Sequence, residues 1–277
     1  MKKPDKVVQR VHSFLLCVSL TIFSLCANAF AAEKEPDPME WDREYTHFYD
    51  QIAQHDLSGV FVYRAEEEHP FDDDFLGFIG DDLQRFYIHF TSVTRSSENP
   101  NEYQVKGKTR VKKNVCTFQG TITAKRAGLL VKDESEEQDF PGIKEGFVLA
   151  DVELFEEKSQ SGSGIIRGTL VSDFYIDENG KLVYNDLMVI ADGFSNNQFW
   201  GSWTSYRTGA KKICNFGLWR IPRTGLPDGV WLDQGAGHFM PDEKYYDKGW
   251  QTYVDHIRYS YDENPSAHQE EAREWWK

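Results

Sequence analysis

Cysteine is scarce in this chain: four in 277 residues, at positions 17, 26, 116 and 214. No Cys-x-x-Cys spacing occurs, which excludes a thioredoxin-type redox motif and a zinc knuckle. His-Glu-x-x-His is absent, and with it the commonest helical zinc-hydrolase signature. Gly-x-Ser-x-Gly is absent too; Gly162-Ser163-Gly164 lacks the flanking pattern and reads as a flexible loop. Gly235-Ala236-Gly237-His238 lacks the third glycine and the strand–helix context of a nucleotide loop, so it reads as a turn. No Asn-x-Ser/Thr acceptor with a permitted middle residue is present. Positive charge is short, with 31 Lys and Arg against 45 Asp and Glu, a net charge of −14. Nucleic acid and anionic lipid surfaces would repel such a chain, so neither is expected as a partner. On these absences no catalytic residue, metal ligand or cofactor is assigned.

Long apolar runs are also lacking. The longest lies at residues 14–25, short of the roughly 20 residues a spanning helix needs. What surrounds it is informative. Lys2, Lys3, Lys6 and Arg10 form a basic start, and Ala27-Asn28-Ala29 and Ala29-Phe30-Ala31 offer two small-x-small cleavage sites. That order of parts is a secretory signal over residues 1–31. Leu16 and Leu25 precede Cys17 and Cys26, which makes both poor lipid-anchor sites, so no stable membrane anchor is expected. The remaining 246 residues carry a net charge of −17, because the signal holds four bases and one acid. The expected location is periplasmic or secreted. Only Cys116 and Cys214 survive cleavage, and an even pair in an oxidising compartment predicts a disulfide between them.

After a linker, Asp37, Pro38 and Glu40 suit a helix start. Trp41, Tyr45, Phe48 and Ile52 follow at spacings of four, three and four, which predicts an amphipathic helix within residues 32–56. From residue 57 the period shifts to two. Strands are expected at 59–64, 83–93, 102–112, 115–125, 128–132, 147–156, 164–176, 181–191, 197–207 and 212–219. The clearest is 102–112, where Tyr103, Val105, Gly107, Thr109 and Val111 alternate with Gln104, Lys106, Lys108, Arg110 and Lys112, the pattern of an antiparallel strand with one wet face. Asn179-Gly180 predicts a hairpin with a primed turn. About ten strands with short links and no helices between them imply a mostly β fold, an antiparallel up-and-down barrel of about 8–10 strands over residues 57–222. Its likeness to lipocalin-type barrels is one of architecture alone. Three strands share the form apolar-x-Gly-hydroxyl-apolar, around Gly120, Gly168 and Gly201, and such glycines suit points where the wall bends sharply. Residues 223–277 hold four of the eight tryptophans, and seven of the eight lie in the last 78 residues. They are expected to pack on the barrel as an irregular aromatic-rich segment ending in a short helix capped by Ser266 with Gln269.

Candidate binding residues come from the strand faces. Trp200 and Tyr206 share one face of their strand, and Trp203 lies on the other with Phe199. One face is core, and the other is able to present rings to a ligand. Tyr87 and His89 share a strand face and are added to the set. Asp151 and Glu153 form an acid–base pair only if their face lines a cavity. The acidic stretches Glu66-Glu67-Glu68 and Asp72-Asp73-Asp74 read as a solvated loop. The expectation is an exported, non-enzymatic barrel holding a small apolar or aromatic-stacking ligand at Trp200, Trp203, Tyr206, Tyr87 and His89. The alternative is an envelope protein–protein interaction or inhibitor module with a filled interior, using the cationic row Lys106, Lys108, Arg110 and Lys112.

Overall fold

A computed structural model describes residues 44–62, 75–189, 191, 194–222, 231–234 and 238–277. The expected signal over residues 1–31, Trp41, the acidic stretch at 66–74 expected as a loop, and the turn expected at 235–237 lie outside the described residues. Among the described residues no helix is long and apolar enough to cross a membrane.

The chain builds one ten-stranded antiparallel sheet and a separate two-stranded hairpin. Strand β1 is Tyr45–His47, β2 Leu76–Ile79, β3 Gln84–Arg95, β4 Glu102–Val111, β5 Asn114–Leu130 and β6 Lys144–Glu156. Then come β7 Gly164–Ile176, β8 Leu182–Tyr184, β9 Asn196–Ser205 and β10 Lys211–Leu218, with β11 Trp231–Gln234 and β12 His238–Pro241 forming the hairpin. Eight of the strands pair in chain order, β2 through β7, then β9 and β10, and β10 pairs back onto β2, so the sheet closes into a ring. Strand β8 sits off the ring on β7.

Alternation dictates which face turns inward. In β4, Tyr103, Val105, Gly107 and Thr109 are buried while Gln104 and Lys106 are exposed. Strand β5 is one long element where the sequence pattern reads two. Its register slips between Ala124 and Arg126, a bulge that inverts the parity and lets Ala127 take the buried side. The middle of the ring is filled by phenylalanines from several strands. Phe199 stacks on Phe216 at 4.3 Å, Phe75 meets Phe216 edge-on at 5.3 Å, and Phe90 meets Phe118 at 5.5 Å. Two of the three echoed glycines make room for this. Gly168 and Gly201 face each other across β7 and β9, and a Cβ on either would lie 2.7 Å from the Phe199 ring.

One end of the ring is plugged by residues 44–62. Here the expected helix over the Tyr45–Ile52 stripe is replaced by β1 and a single turn, α1 (Tyr49–Ile52). The reason is an unpaired edge. Strand β5 outruns β4, which pairs with it only as far as Thr123, and β1 covers the overhang at Gly128 to Leu130. Within the expected strand at 59–64, residues 63 and 64 lie outside the described residues, and residues 59–61 belong instead to a helical turn, α2 (Ser58–Phe61). Its Val60 and Phe61, with Phe48, Ile52 and Leu57, enter the ring's core cluster. Leu57 N–H donates to Tyr103 Oη at 2.9 Å, and Asn197 Nδ2 donates to Val60 O at 2.9 Å, which ties the plug to the strand ends. Between β5 and β6 lies a short helix, α3 (Glu134–Asp139). The hairpin at Asn179-Gly180 forms, but its loop runs from Asp177 to Lys181, with Gly180 at φ +79.

The C-terminal segment straps the outer face of β3 and β4. It comprises a 3₁₀ turn (Glu243–Lys248), α4 (Gln251–Arg258) and α5 (Pro265–Glu271). The cap of α5 is Asn264, whose side chain accepts from Ala267 N–H, so the expected Ser266 cap lies two residues too late. Trp250 is fully buried and its Nε1 donates to Leu83 O at 2.8 Å. Beneath the strap, Arg85 makes a bidentate pair with Glu271, and Arg110 pairs with Glu270 at 2.7 Å. Both guanidinium groups pack on the Tyr87 ring, at 4.4 and 3.8 Å from its centre. Burial pushes the Glu271 carboxyl up, but Arg85 beside it prevails and holds it below the usual carboxylate range. A carboxyl depressed in the folded state contributes stability above its unfolded pKa and loses it as pH falls through the folded one. Glu271→Ala leaves Arg85 buried without a counter-ion and is expected to cost about 3–5 kcal/mol at neutral pH. The gap from wild type is expected to narrow on acidification, as urea unfolding at neutral and acidic pH would measure.

Candidate functional site

Among the described residues no segment plugs the other end of the ring. It is the end where β2 turns into β3, β4 into β5, β6 into β7 and β9 into β10. A cavity of about 450 Å³ opens there, and its lining comes from inward positions and from the turns. Phe86 and Val111 form part of the wall, Cys116 and Trp203 another part, and Lys112 and Lys212 stand with Asp82 among its exposed residues. Lys112 occupies the first position of a two-residue turn with φ 56, a left-handed conformation that costs a side-chain-bearing residue roughly 1–2 kcal/mol.

Glu156 is the buried carboxylate in the lining of this cavity. It ends β6, points inward and is 5% exposed. Three donors converge on its carboxylate. Thr109 Oγ1 from β4 donates to Oε1; Gly164 N–H at the start of β7 donates to Oε2 at 2.7 Å; Trp203 Nε1 from β9 donates to Oε2 at 2.9 Å. The carboxylate therefore links β6 to β4 and β9, neither of which neighbours it, as well as to the adjacent β7. Gly164 makes this possible twice. Its N–H serves Glu156, and its missing side chain leaves space for the indole, which a Cβ would meet at 2.6 Å. Burial pushes the Glu156 carboxyl up, and the three hydrogen bonds pull it down without cancelling that effect. No cation among the described residues lies within ion-pair distance of it.

The predicted disulfide is not formed: Cys116 and Cys214 are both free and buried. Topology forbids it. Strands β5 and β10 stand on opposite sides of the ring, separated by three strands in either direction. With strands about 4.8 Å apart, this exceeds the 4.4–6.8 Å between Cα atoms that a disulfide spans. Burial, reinforced by the Glu156 charge, pushes the Cys116 thiol up to about 11, against a hydrogen bond from Asn114. Burial also raises Cys214, again with Glu156 contributing. Both are thiols rather than thiolates at neutral pH, so neither is an activated nucleophile.

The five predicted binding residues do not come together. Trp203 alone lines the mouth cavity. Tyr206 borders a second depression of about 550 Å³, with Lys158 Nζ 5.2 Å from the centre of its ring. Trp200 lies at the opposite parity from Phe199 and Trp203, on the outer side of β9. Tyr87 and His89 are on the outer face of β3, beneath the strap, where Tyr87 meets Trp275 and His89 stacks on Trp276 at 3.9 Å. Their rings are consumed by the strap. The cationic row is broken in the same way, because Arg110 is buried against Glu270. Asp151 and Glu153 face outward, near Lys125 and Arg167 respectively. Glu156, Thr109 and Gly164 were missed. The available signal was an acid at the end of an apolar-alternating strand, Val152, Leu154 and Glu156, on the core parity. Among the described residues no group of three or more His, Cys, Asp or Glu is placed to hold a metal ion.

The chain matches no protein-family model, no curated protein and no solved structure. With free, buried thiols, native protein is expected to resist a thiol-alkylating reagent, while denatured, unreduced protein takes up one label on each of Cys116 and Cys214. Intact-mass measurement before and after denaturation checks this, and a single mass unchanged by denaturation would mean a bridge.

Proposed function

We propose that the protein is an exported small-molecule binding protein, with no catalytic role, whose ligand sits in the mouth cavity. The reading treats the ring as an up-and-down barrel with lipocalin-type architecture, plugged at one end and accessible at the other. The observation that carries it is the cavity itself: about 450 Å³ at the mouth of the ring, lined in part by Trp203 and Phe86 and by one buried carboxylate. Small-molecule sites are typically concave, about 300–1,000 Å³, mostly apolar and supplied with a few placed polar groups. Residues 1–31 have the order of a secretory signal, which supports placing the ligand outside the cytoplasm. The proposed ligand has an apolar or aromatic body that lies against Trp203.

The test separates inner from outer tryptophan. Displacement of an environment-sensitive fluorescent probe, with native mass spectrometry of the purified protein, reports occupancy. Trp203→Phe removes both the indole surface and a donor to Glu156, and is expected to weaken binding by about tenfold or more. Trp200→Phe, on the outer face, is expected to leave affinity within about twofold. Equal effects of the two substitutions would place the ligand elsewhere.

A further inference from the structure

We propose that Glu156 is the anchoring carboxylate for a ligand ammonium group, so that the mouth cavity takes a small primary amine with an apolar body. The inference rests on the cavity reading above and names the polar end of its ligand. It begins from an imbalance. A carboxylate offers about four acceptor positions. Gly164 N–H and Trp203 Nε1 take two on Oε2, and Thr109 Oγ1 takes one on Oε1. One position on Oε1 is left. All three donors are neutral, so they orient the charge without neutralising it. Taking an ion out of water costs several kcal/mol unless a partner of opposite sign compensates.

The surroundings favour a cation over the other ligand classes. An anion would meet Glu156 at close range, and the nearest donors are already spent on that carboxylate. A neutral hydroxyl could donate one hydrogen bond but supplies no charge. An ammonium supplies both, and the face of an indole or phenyl ring beside it adds cation–π attraction. Trp203 and Phe86 line the same cavity as Glu156. Cys116 does not compete for the free position, because its Sγ is directed to Ser161 O at 3.7 Å. Lys112 and Lys212 are exposed and are offset in part by Asp82, so their repulsion is screened by solvent and salt. They select against polyamines, which would bring a second positive charge to the rim. The net charge of −17 on residues 32–277 favours approach of a cation from a distance.

A matched ligand series tests this by isothermal titration calorimetry on the signal-free chain. 2-Phenylethylamine, 2-phenylethanol and 3-phenylpropionate share a body and differ at the end that would meet Glu156. The amine is expected to bind about tenfold or more tightly than either analogue, the difference a charged hydrogen bond makes over a neutral one. Glu156→Gln is expected to bring the amine down to the level of the alcohol. Thr109→Val, which strips a donor and keeps the carboxylate, is expected to retain the amine preference. The wild-type series decides the matter by itself if Glu156→Gln fails to fold. If the alcohol or the propionate binds as tightly as the amine, and filling the cavity with Val111→Trp abolishes that binding, the ammonium inference falls while the cavity reading stands. An amine preference that survives Val111→Trp overturns the inference by placing the site elsewhere. If none of the three binds and the fluorescent probe also fails to bind, both readings fall.

Discussion

The structure depends on a closure made by four residue pairs. Strand β2 is only four residues long, yet its pairing with β10, from Ile79 opposite Cys214 to Leu76 opposite Gly217, joins the two ends of the sheet. A sheet that meets itself has no free edge to protect along the ring. Closure also creates an interior that has to be filled, and an eight-stranded ring encloses space of about side-chain width. The chain meets that demand with phenylalanines set against glycines. Phe199 lies over the Gly168 and Gly201 pair, and the Phe118 ring occupies the space beside Gly107. Each ring takes volume that a Cβ at the adjoining glycine would otherwise occupy.

Filling is uneven along the ring, and that unevenness makes the site. At one end the plug of residues 44–62 contributes Phe48, Ile52, Leu57, Val60 and Phe61 to the core. In the middle the phenylalanines close the interior. At the open end the inward positions become polar, with Thr109, Cys116 and Glu156 replacing rings. A buried carboxylate with three donors from three strands fixes the shape of that mouth, and it does so at an electrostatic cost. Outside the ring the balance is different: Arg85 and Arg110 are buried with their own partners, Glu271 and Glu270, beneath the strap. The two buried acidic sites therefore titrate in opposite directions, the strap carboxyl held down by a cation and the mouth carboxyl pushed up by burial.

Much of the meander was legible along the chain. The alternation of Tyr103 to Val111 marked β4 and its core face, and the boundaries of β6 and β7 lie close to those the pattern implies. Elements whose form depends on a distant partner were not legible. Tyr45 to His47 is a strand only because β5 overhangs β4 by several residues. Lys125 is a bulge only because β5 follows β6 on both sides of it. For the site, aromatic residues on a strand face attracted attention, but side-chain type cannot say which parity faces inward or what covers the outside. Tyr87 and His89 have the same composition signal as Trp203, and the strap takes them. Glu156 gave the opposite signal, since an acid at a strand end ordinarily meets water.

Local periodicity, by itself, determined that this is a chain of antiparallel strands, since a period of two needs no knowledge of neighbours. Tertiary structure decided the rest. Ring closure set which side of each strand is interior, and it placed Cys116 and Cys214 on opposite walls where no bond can join them. It also brought Thr109, Gly164 and Trp203 onto one carboxylate from positions up to 94 residues apart. The physical reason is the same in each case. Burial and partnership belong to places in space, and the curvature that creates those places arises only when the last strand finds the first.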